Sequence, residues 1–198
     1  WLARGAALAV VLQGALGGVT VLLRLPLAVS VTHACLAQAF LCLVITLAVC
    51  TSPGWQAHPA GRVEQRQPAL WRVAVITVGM VYVQLILGAL MRHMGAGLAI
   101  PDFPLAFGRL VPPLDSVAVV VHFLHRLGAL AVTLCVGWTI ARIFSQHRAE
   151  KRLLRPALLL GGLVLLQLTL GALTIWTRRA VLPMTAHVAV GAAVLATS

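Results

Sequence analysis

The chain has 198 residues, of which 61% are hydrophobic and 10% are charged, and its formal net charge is +11. Soluble domains carry about 25% charged residues, so this composition excludes an ordinary soluble domain and favours an integral membrane protein. The positive charge does not indicate nucleic-acid binding, because the basic residues cluster near the ends of apolar segments, where they act as topology signals.

Six apolar segments approach the roughly 20 residues that a helix needs to cross a bilayer. In chain order they cover residues 5–23, 28–50, 72–92, 117–141, 157–177 and 183–198. The sequence therefore predicts an all-α, polytopic transmembrane helical bundle whose main partner is the lipid bilayer.

Basic residues near the helix ends predict the orientation of the chain. Nine lie by one set of predicted ends and five by the other, which is a moderate positive-inside signal. This puts loops 51–71 and 142–156 on the cytoplasmic side, or its organellar equivalent. Segments 24–27, 92–116 and 178–182 are then expected to face outward.

An internal repeat is visible in the sequence. The segment LQGALGGVTVLLRLPLAVSVTH (12–33) aligns without a gap on LQLTLGALTIWTRRAVLPMTAH (166–187) at a constant offset of 154. The matched polar residues are Gln13 with Gln167, Thr20 with Thr174, Arg24 with Arg178 and His33 with His187. A third copy of the opening, QLILGAL, occupies 84–90. Because the two long copies lie four crossings apart, both are expected to enter the membrane in the same direction, as a parallel repeat.

The repeat also predicts the domain organisation if the repeating unit has four helices. Residues 72–198 then form a complete C-terminal four-helix unit, and residues 51–71 form a cytoplasmic linker. Residues 1–50 form the last two helices of an N-terminal unit, whose first two helices are expected to precede this chain. On this interpretation, six helices of an expected eight are present.

Three histidines are expected at a similar depth in the membrane. His33, His125 and His187 lie a few residues inside the outward ends of three predicted helices, roughly 6 to 12 Å below the surface. Imidazole is the commonest protein ligand to metals. Two histidines on facing helices of a bundle can hold a haem iron between their rings. His125 and His187 belong to one unit and form the natural pair, whereas the partner of His33 is expected in a preceding helix. The alternative is that all three are hydrogen-bonded packing residues.

Polar residues around this pair suggest supporting roles. His122 lies one turn before His125 on the same helix face, where it would support the ligand, handle protons or simply be a polar neighbour. Arg126 is expected to point towards the outer interface, with haem propionates as partners, or to snorkel there. The outward segment RHMGAGLAIPDFPLAFGRLVPP (92–113) is rich in Gly and Pro and is expected to close over a cofactor edge, with Arg92 at the membrane boundary, or to be a plain connector.

Three stretches of this sequence closely resemble the haem A synthase family: QLILGALMRHMGAGLAIPDFPLAFG (84–108), HFLHRLGAL (122–130), and QLTLGALTIW followed by TAHVAVGA (167–192). The resemblance extends over nearly the whole chain. It implies two four-helix halves, with haem O bound as substrate in the N-terminal half and haem b held as cofactor in the C-terminal half. By resemblance, His125 and His187 would ligate haem b, and His33 would be one ligand of the substrate haem.

The resemblance also implies a reaction, partners and a location. The methyl group of haem O would be oxidised through hydroxylated intermediates to the formyl group of haem A. Haem O synthase, an electron donor and a second copy of the chain are expected partners. The expected location is the bacterial plasma membrane or the mitochondrial inner membrane, with the haem sites towards the outer face.

Two departures from the family pattern are relevant. Ile100 and Ala106 stand where many members carry a cysteine pair, so no disulfide is expected in this loop. The family's substrate half also uses a carboxylate on a helix that is expected to precede this chain, so the catalytic residue is unassigned. His122 takes the equivalent place in the C-terminal half, which fits a half that binds a cofactor without performing the oxidation.

Two other functions fit parts of the same pattern. A di-haem b-type membrane cytochrome that only transfers electrons is the main alternative, because composition, repeat and ligands suit it equally well. A purely structural subunit with packing histidines is the third interpretation, and it would bind no haem.

Overall fold

The computed structural model describes residues 1–57 and 68–198. Most of the predicted linker, residues 58–67, lies outside the described residues. The helices are α1 (Leu2–Leu22), α2 (Leu27–Thr51), α3 (Pro53–Gln56), α4 (Leu70–His93), α5 (Val117–Gln146), α6 (Lys151–Trp176) and α7 (Val181–Thr197), with a 3-10 turn at Ala96–Leu98.

Five of these helices are long and apolar enough to cross a membrane: α1, α2, α4, α5 and α6. The sixth predicted span, α7, has 17 residues and is therefore about 25 Å long, near the lower limit for a crossing. The predicted all-α, multi-pass bundle is confirmed for the described part of the chain. The predicted bounds of α5 and α6 are too short, since α5 continues to Gln146 and α6 starts at Lys151, before Pro156.

The first compact unit covers Trp1–Ala69. In it, α1 packs against α2, and the short α3 packs against the end of α2. Four residues separate α1 from α2, so the two helices form an antiparallel hairpin. The hydroxyl of Ser52 accepts a hydrogen bond from the N–H of Trp55 at 3.3 Å, which caps α3.

The second compact unit covers Leu70–Ser198 and contains four helices. Helix α4 packs on α5, α5 on α6, α6 on α7, and α7 returns to α4. This order closes a four-helix bundle in which α5 and α7 lie at opposite corners. The buried interior consists mainly of small and branched apolar side chains: Val73, Val81, Val132, Val136, Leu160, Val164, Ala172 and Val194.

The sequence repeat has a counterpart in two turns. The α1–α2 and α6–α7 turns each contain two successive residues with positive φ, at Arg24 (59°) and Leu25 (63°), and at Arg178 (50°) and Arg179 (68°). In each turn the second of these donates its N–H to a carbonyl five residues earlier, at 2.8 Å and 2.7 Å, as in a Schellman helix end. The positions correspond at the same offset of 154, although glycine usually occupies such sites.

The loop between α4 and α5 is folded around one carboxylate. Asp102 accepts hydrogen bonds from the N–H of Phe107 at 2.7 Å and of Gly108 at 2.8 Å. These two residues have φ of 56° and 71°, and they form a two-residue turn between the paired backbones of Ala106 and Arg109. The hydrogen bonds from Gly108 and Phe107 stabilise the charged carboxylate and lower the pKa of Asp102.

Candidate functional site

His125 of α5 and His187 of α7 face each other across the bundle. Their ring centroids are 6.4 Å apart, and their planes meet at 71°. Both lie near the end of the bundle where α4 and α6 end and α5 and α7 begin, which we call the loop end. His125 is eight residues after Val117 and His187 six after Val181, so they lie about 12 and 9 Å from that end.

The separation of the two rings fits a shared metal ion. Metal–imidazole bonds are about 2.0–2.1 Å long, as at zinc, and each nitrogen lies roughly 1.2 Å from its ring centre, so two imidazoles on opposite sides of one ion have centres about 6.4–6.6 Å apart. Among the described residues, no cluster of three or more His, Cys, Asp or Glu side chains is placed to hold a metal ion. The candidate centre is therefore this histidine pair.

Each ring packs on a glycine of the neighbouring helix. A methyl group added to Gly88 of α4 would lie 3.1 Å from Cε1 of His125, and one added to Gly171 of α6 would lie 3.2 Å from Cε1 of His187. Real Cβ contacts are seldom this close. Glycine therefore allows each imidazole to lie directly on the backbone of the adjacent helix.

A glutamine four residues before each glycine contacts the same histidine. The side-chain amide of Gln84 donates to the carbonyl of His125 at 2.8 Å, and its nitrogen lies 3.0 Å from Nδ1 of that ring. The amide nitrogen of Gln167 lies 3.4 Å from Nε2 of His187. We call each such glutamine and glycine pair a seat: Gln84 with Gly88 for His125, and Gln167 with Gly171 for His187.

The protonation of His187 is defined by its backbone partner. Its Nδ1 lies 3.1 Å from the carbonyl oxygen of Gln167, and a carbonyl can only accept, so Nδ1 carries the ring proton. The lone pair of the neutral ring is then on Nε2. Histidines that bind metals commonly donate their other N–H to a backbone carbonyl in this way, and in this structure the Nε2 lone pair of His187 faces the amide nitrogen of Gln167 at 3.4 Å.

The first unit contains a similar glutamine and glycine beside His33, but Nδ1 of this ring has no hydrogen-bond partner among the described residues. The amide of Gln13 donates to the carbonyl of His33 at 3.2 Å, and its nitrogen lies 3.4 Å from Nε2 of the ring. A methyl group at Gly17 would lie 3.0 Å from Cε1 of His33. The third seat is thus Gln13 with Gly17.

His122 binds the loop. The side chain is only 3% exposed, and its Nδ1 accepts a hydrogen bond from the N–H of Ile100 at 3.2 Å. Ile100 is itself completely buried and packs with Ala106 and Val119. The described contacts of His122 therefore support the loop above His125.

Arg126 also binds the loop. Its guanidinium donates to the carbonyls of Asp102 at 2.6 Å, Leu105 at 2.8 Å and Ile100 at 3.2 Å, and it lies over the Phe103 ring at 5.7 Å. The arginine thus faces the loop, and its contact with haem propionates stays a prediction.

The remaining loop contacts join it to α6. The Trp176 indole donates to the carbonyl of Phe103 at 3.4 Å, and the two rings meet edge to face with centroids 6.1 Å apart. Arg92 is exposed at the end of α4, and its predicted part in cofactor binding stays a prediction. The loop is held on the loop end by residues of both α5 and α6.

The seat glutamines and glycines were not among the predicted site residues. The signal was present in the sequence, because Gln and Gly recur with a spacing of four in all three copies of the repeat opening. That spacing places both residues on one face of a helix. Their partner histidines lie on other helices, however, so only the folded structure reveals the contact.

The comparisons with known proteins agree with the predicted resemblance. The family model COX15-CtaA, described as cytochrome oxidase assembly protein, matches residues 1–198. The chain belongs to this family. It is 37% identical over 156 residues to a protein named heme A synthase from Symbiobacterium thermophilum, an alignment that covers 72% of this chain and 48% of that protein.

Other relatives carry the same name. A heme A synthase from Caulobacter vibrioides is 34% identical over 179 residues, which cover 83% of this chain and 49% of that protein. One from Rickettsia bellii is 34% identical over 125 residues, which cover 58% and 36%. The chain thus spans about half the length of the relatives from Symbiobacterium thermophilum and Caulobacter vibrioides.

Proposed function

We propose that the protein is a haem A synthase that oxidises the methyl group of haem O to the formyl group of haem A, with His125 and His187 holding the iron of a haem b cofactor. The observation that carries this proposal is the facing pair of rings, 6.4 Å apart in the interior of a membrane bundle. The shared name of the relatives supports the substrate and the reaction.

The residues of the second unit have distinct parts in this proposal. His125 and His187 bind the iron through ring nitrogens, and the seats hold the rings in place. Haem b, when bound, supplies a carrier for one electron at a time. His122 and Arg126 keep the loop on the loop end, where it limits the access of water, and Arg92 lies at the boundary where a propionate could reach it.

The first unit is proposed to serve the substrate. His33 is one ligand of the haem O iron, because its seat repeats the one that holds His187. In this scheme residues 1–50 belong to the substrate half, residues 51–71 to a linker and residues 72–198 to the cofactor half. An electron donor, haem O synthase and a second copy of the chain are proposed partners. The proposed location is the bacterial plasma or mitochondrial inner membrane, with both haems towards the outer face.

The electron-transfer cytochrome is the second candidate function. The observation in its favour is that the seat of His33 is built like the other two, so both units would suit permanent haem b groups. Product analysis separates the two candidates, because only a synthase forms haem A from haem O.

The test begins with the reduced-minus-oxidised absorption spectrum of the protein purified in detergent micelles. We expect a low-spin b-type signal that is lost in His125→Ala and in His187→Ala. His147→Ala is the matched control, because His147 lies after α5 and contacts only Glu150 among the described ion pairs, at 3.0 Å. A wild type without haem, or a signal that survives both ligand variants, would overturn the ligand assignment.

The second step measures the reaction itself. The protein is expressed in cells that make haem O but lack haem A. The haems are then extracted from these cells and separated by chromatography. Haem A in the wild type and its absence in the His187→Ala variant are expected. Bound haem b with no conversion of haem O would favour the electron-transfer cytochrome.

A further inference from the structure

We propose that the loop between α4 and α5 lies in the interfacial layer of the membrane leaflet at the loop end, where its exposed apolar side chains contact lipid. The partner of this surface is therefore the bilayer itself. The inference does not depend on the haem assignment, because it rests on the fold of the loop and on its contacts with α5 and α6.

The loop lies beside α5 and does not extend beyond its first residue at the points where the two are bonded. Arg126 is nine residues after Val117, the first residue of α5, so its Cα lies about 13.5 Å along the helix from that end. Its guanidinium donates to the carbonyls of Asp102, Leu105 and Ile100 at 2.6, 2.8 and 3.2 Å. An extended arginine side chain with one hydrogen bond added is shorter than this rise. The three carbonyls therefore lie at the level of the first turns of α5.

The loop also contacts the end of α6. The Trp176 indole donates to the carbonyl of Phe103 at 3.4 Å, and the two rings meet edge to face. Trp176 is the last residue of α6, and its side chain is 61% exposed. Tryptophan is enriched where the ends of membrane helices meet the interface. Phe103 is thus held at the level where the interface is expected.

Many backbone groups of the loop are paired within the protein. Arg126 binds three of its carbonyls, His122 accepts one N–H and Asp102 accepts two. Ala106 and Arg109 pair their backbones with each other. Proline occupies two further positions, 101 and 104, and has no N–H to satisfy. Irregular backbone at membrane depth requires such internal pairing, because lipid offers no hydrogen bonds.

Several apolar side chains of the loop are exposed. Ala106 is buried, whereas Leu105 and Phe107 on either side of it are exposed. Beyond the turn, Leu110 is 86% and Val111 59% exposed. We call Leu105, Phe107, Leu110 and Val111 the apolar edge of the loop. Exposed apolar groups of this kind mark contact sites for a membrane or another protein.

Lipid fits the apolar edge better than a second protein does. Phe103 packs on Trp176 at the end of one membrane helix, and Val117 at the start of another is 67% exposed. The edge therefore continues the outer surface of the bundle at the level of its helix ends. Arg109 is exposed beside Leu110, and the long stem of an arginine lets its charge reach the headgroup layer while apolar neighbours lie deeper.

The experiment measures the depth of single nitroxide labels on the purified protein in lipid nanodiscs. The four native cysteines are replaced by alanine, and the label is attached to the Leu110→Cys or the Val111→Cys variant. The readout is the relaxation enhancement by oxygen, which concentrates in lipid, relative to that by a water-soluble nickel chelate.

Asp115→Cys and Leu165→Cys provide the matched reference positions. Asp115 is exposed at the polar end of the same loop, and Leu165 is exposed in the middle of α6. We expect the oxygen-to-nickel ratio at Leu110 and Val111 to be several-fold higher than at Asp115 and lower than at Leu165. An unchanged helical circular dichroism spectrum shows that each labelled variant is folded.

Two results would overturn the inference. A ratio at Leu110 and Val111 equal to that at Asp115 would place the apolar edge in water. Low access of both reagents would show that protein covers the edge, such as a second copy of the chain. Neither result depends on whether the protein binds haem, so failure of this inference is distinct from failure of the proposed function.

Discussion

At the scale of single residues, ligands and their supports differ in how visible they are. A histidine in an apolar helix is conspicuous because a polar ring is expensive in a membrane. Glycine is common in such a helix, so Gly88 and Gly171 do not stand out in the sequence. Their role is visible only in the fold, where a methyl group added to either would lie 3.1 or 3.2 Å from a histidine ring. The candidate ligands were therefore conspicuous in the sequence, whereas the seats appeared there only as a recurring Gln and Gly spacing whose partners the sequence did not identify.

Asp102 permits a prediction on pH at this scale. Its pKa is lowered by the N–H groups of Gly108 and Phe107, so the folded loop prefers the charged carboxylate. The resulting stabilisation is fully present above the ordinary carboxyl pKa of 3.8 and is lost as the pH falls through the lowered value. We expect protection of the Phe107 and Gly108 amides against hydrogen exchange to be constant from pH 7 to about 5 and to decline only below the ordinary pKa.

The matched variants for this prediction are Asp102→Asn and Asp115→Asn, both in the same loop. The asparagine at 102 keeps one acceptor and loses the other, so the two turn amides should exchange faster at neutral pH. Asp115 is exposed before α5, and its replacement should leave them unchanged. Equal protection in the wild type and in Asp102→Asn would refute the role of the carboxylate.

At the scale of elements, the helices followed from hydropathy and the loop did not. Apolar segments of sufficient length form helices in a bilayer because each backbone group must be paired within its segment. The loop after α4 does not pair its backbone groups within a regular helix. Its carbonyl groups therefore need hydrogen-bond donors from other parts of the chain. Arg126, predicted to face the outer interface, donates three of those hydrogen bonds to the loop.

Arg126→Gln tests this role of the arginine. Loss of the charged donor should lower the free energy of local loop opening by about 2 kcal/mol, the typical contribution of a hydrogen bond to a charged group. Backbone amides of the loop should then exchange roughly 30-fold faster, as measured by hydrogen–deuterium exchange and mass spectrometry. Arg109→Gln, an exposed position in the same loop, should have no such effect. An unchanged exchange rate in Arg126→Gln would show that the loop is held by its other contacts.

At the scale of the whole molecule, the chain forms two compact units, Trp1–Ala69 and Leu70–Ser198. The seat of His33 lies in the first, and the facing pair lies in the second. The constant offset of 154 in the sequence reappears in the two turns and in the seats, which is the structural sign of a duplication. Each unit therefore contains at least one histidine packed beside a Gln and Gly pair of a neighbouring helix.

His33→Ala tests the independence of the two sites. Because His33 and the histidine pair belong to different compact units, we expect this variant to keep the b-type spectrum assigned to His125 and His187. It should at the same time lose conversion of haem O in cells that produce the full-length protein. The comparison is with His187→Ala, which should lose both. A b-type signal that disappears in His33→Ala would contradict the assignment of the cofactor to the second unit.

The sequence by itself determined the membrane class, the helical bundle, the repeat and the three histidines, since each depends on composition or on spacing along one chain. Residues such as Gln84, Gly88 and Arg126 obtain their roles from partners on other helices or in the loop, at sequence separations that no local pattern encodes. Only the tertiary structure decided which ring rests on which glycine, and that His122 and Arg126 bind the loop. The physical reason is that apolar helices can pair in many registers, and close packing of particular side chains selects one of them.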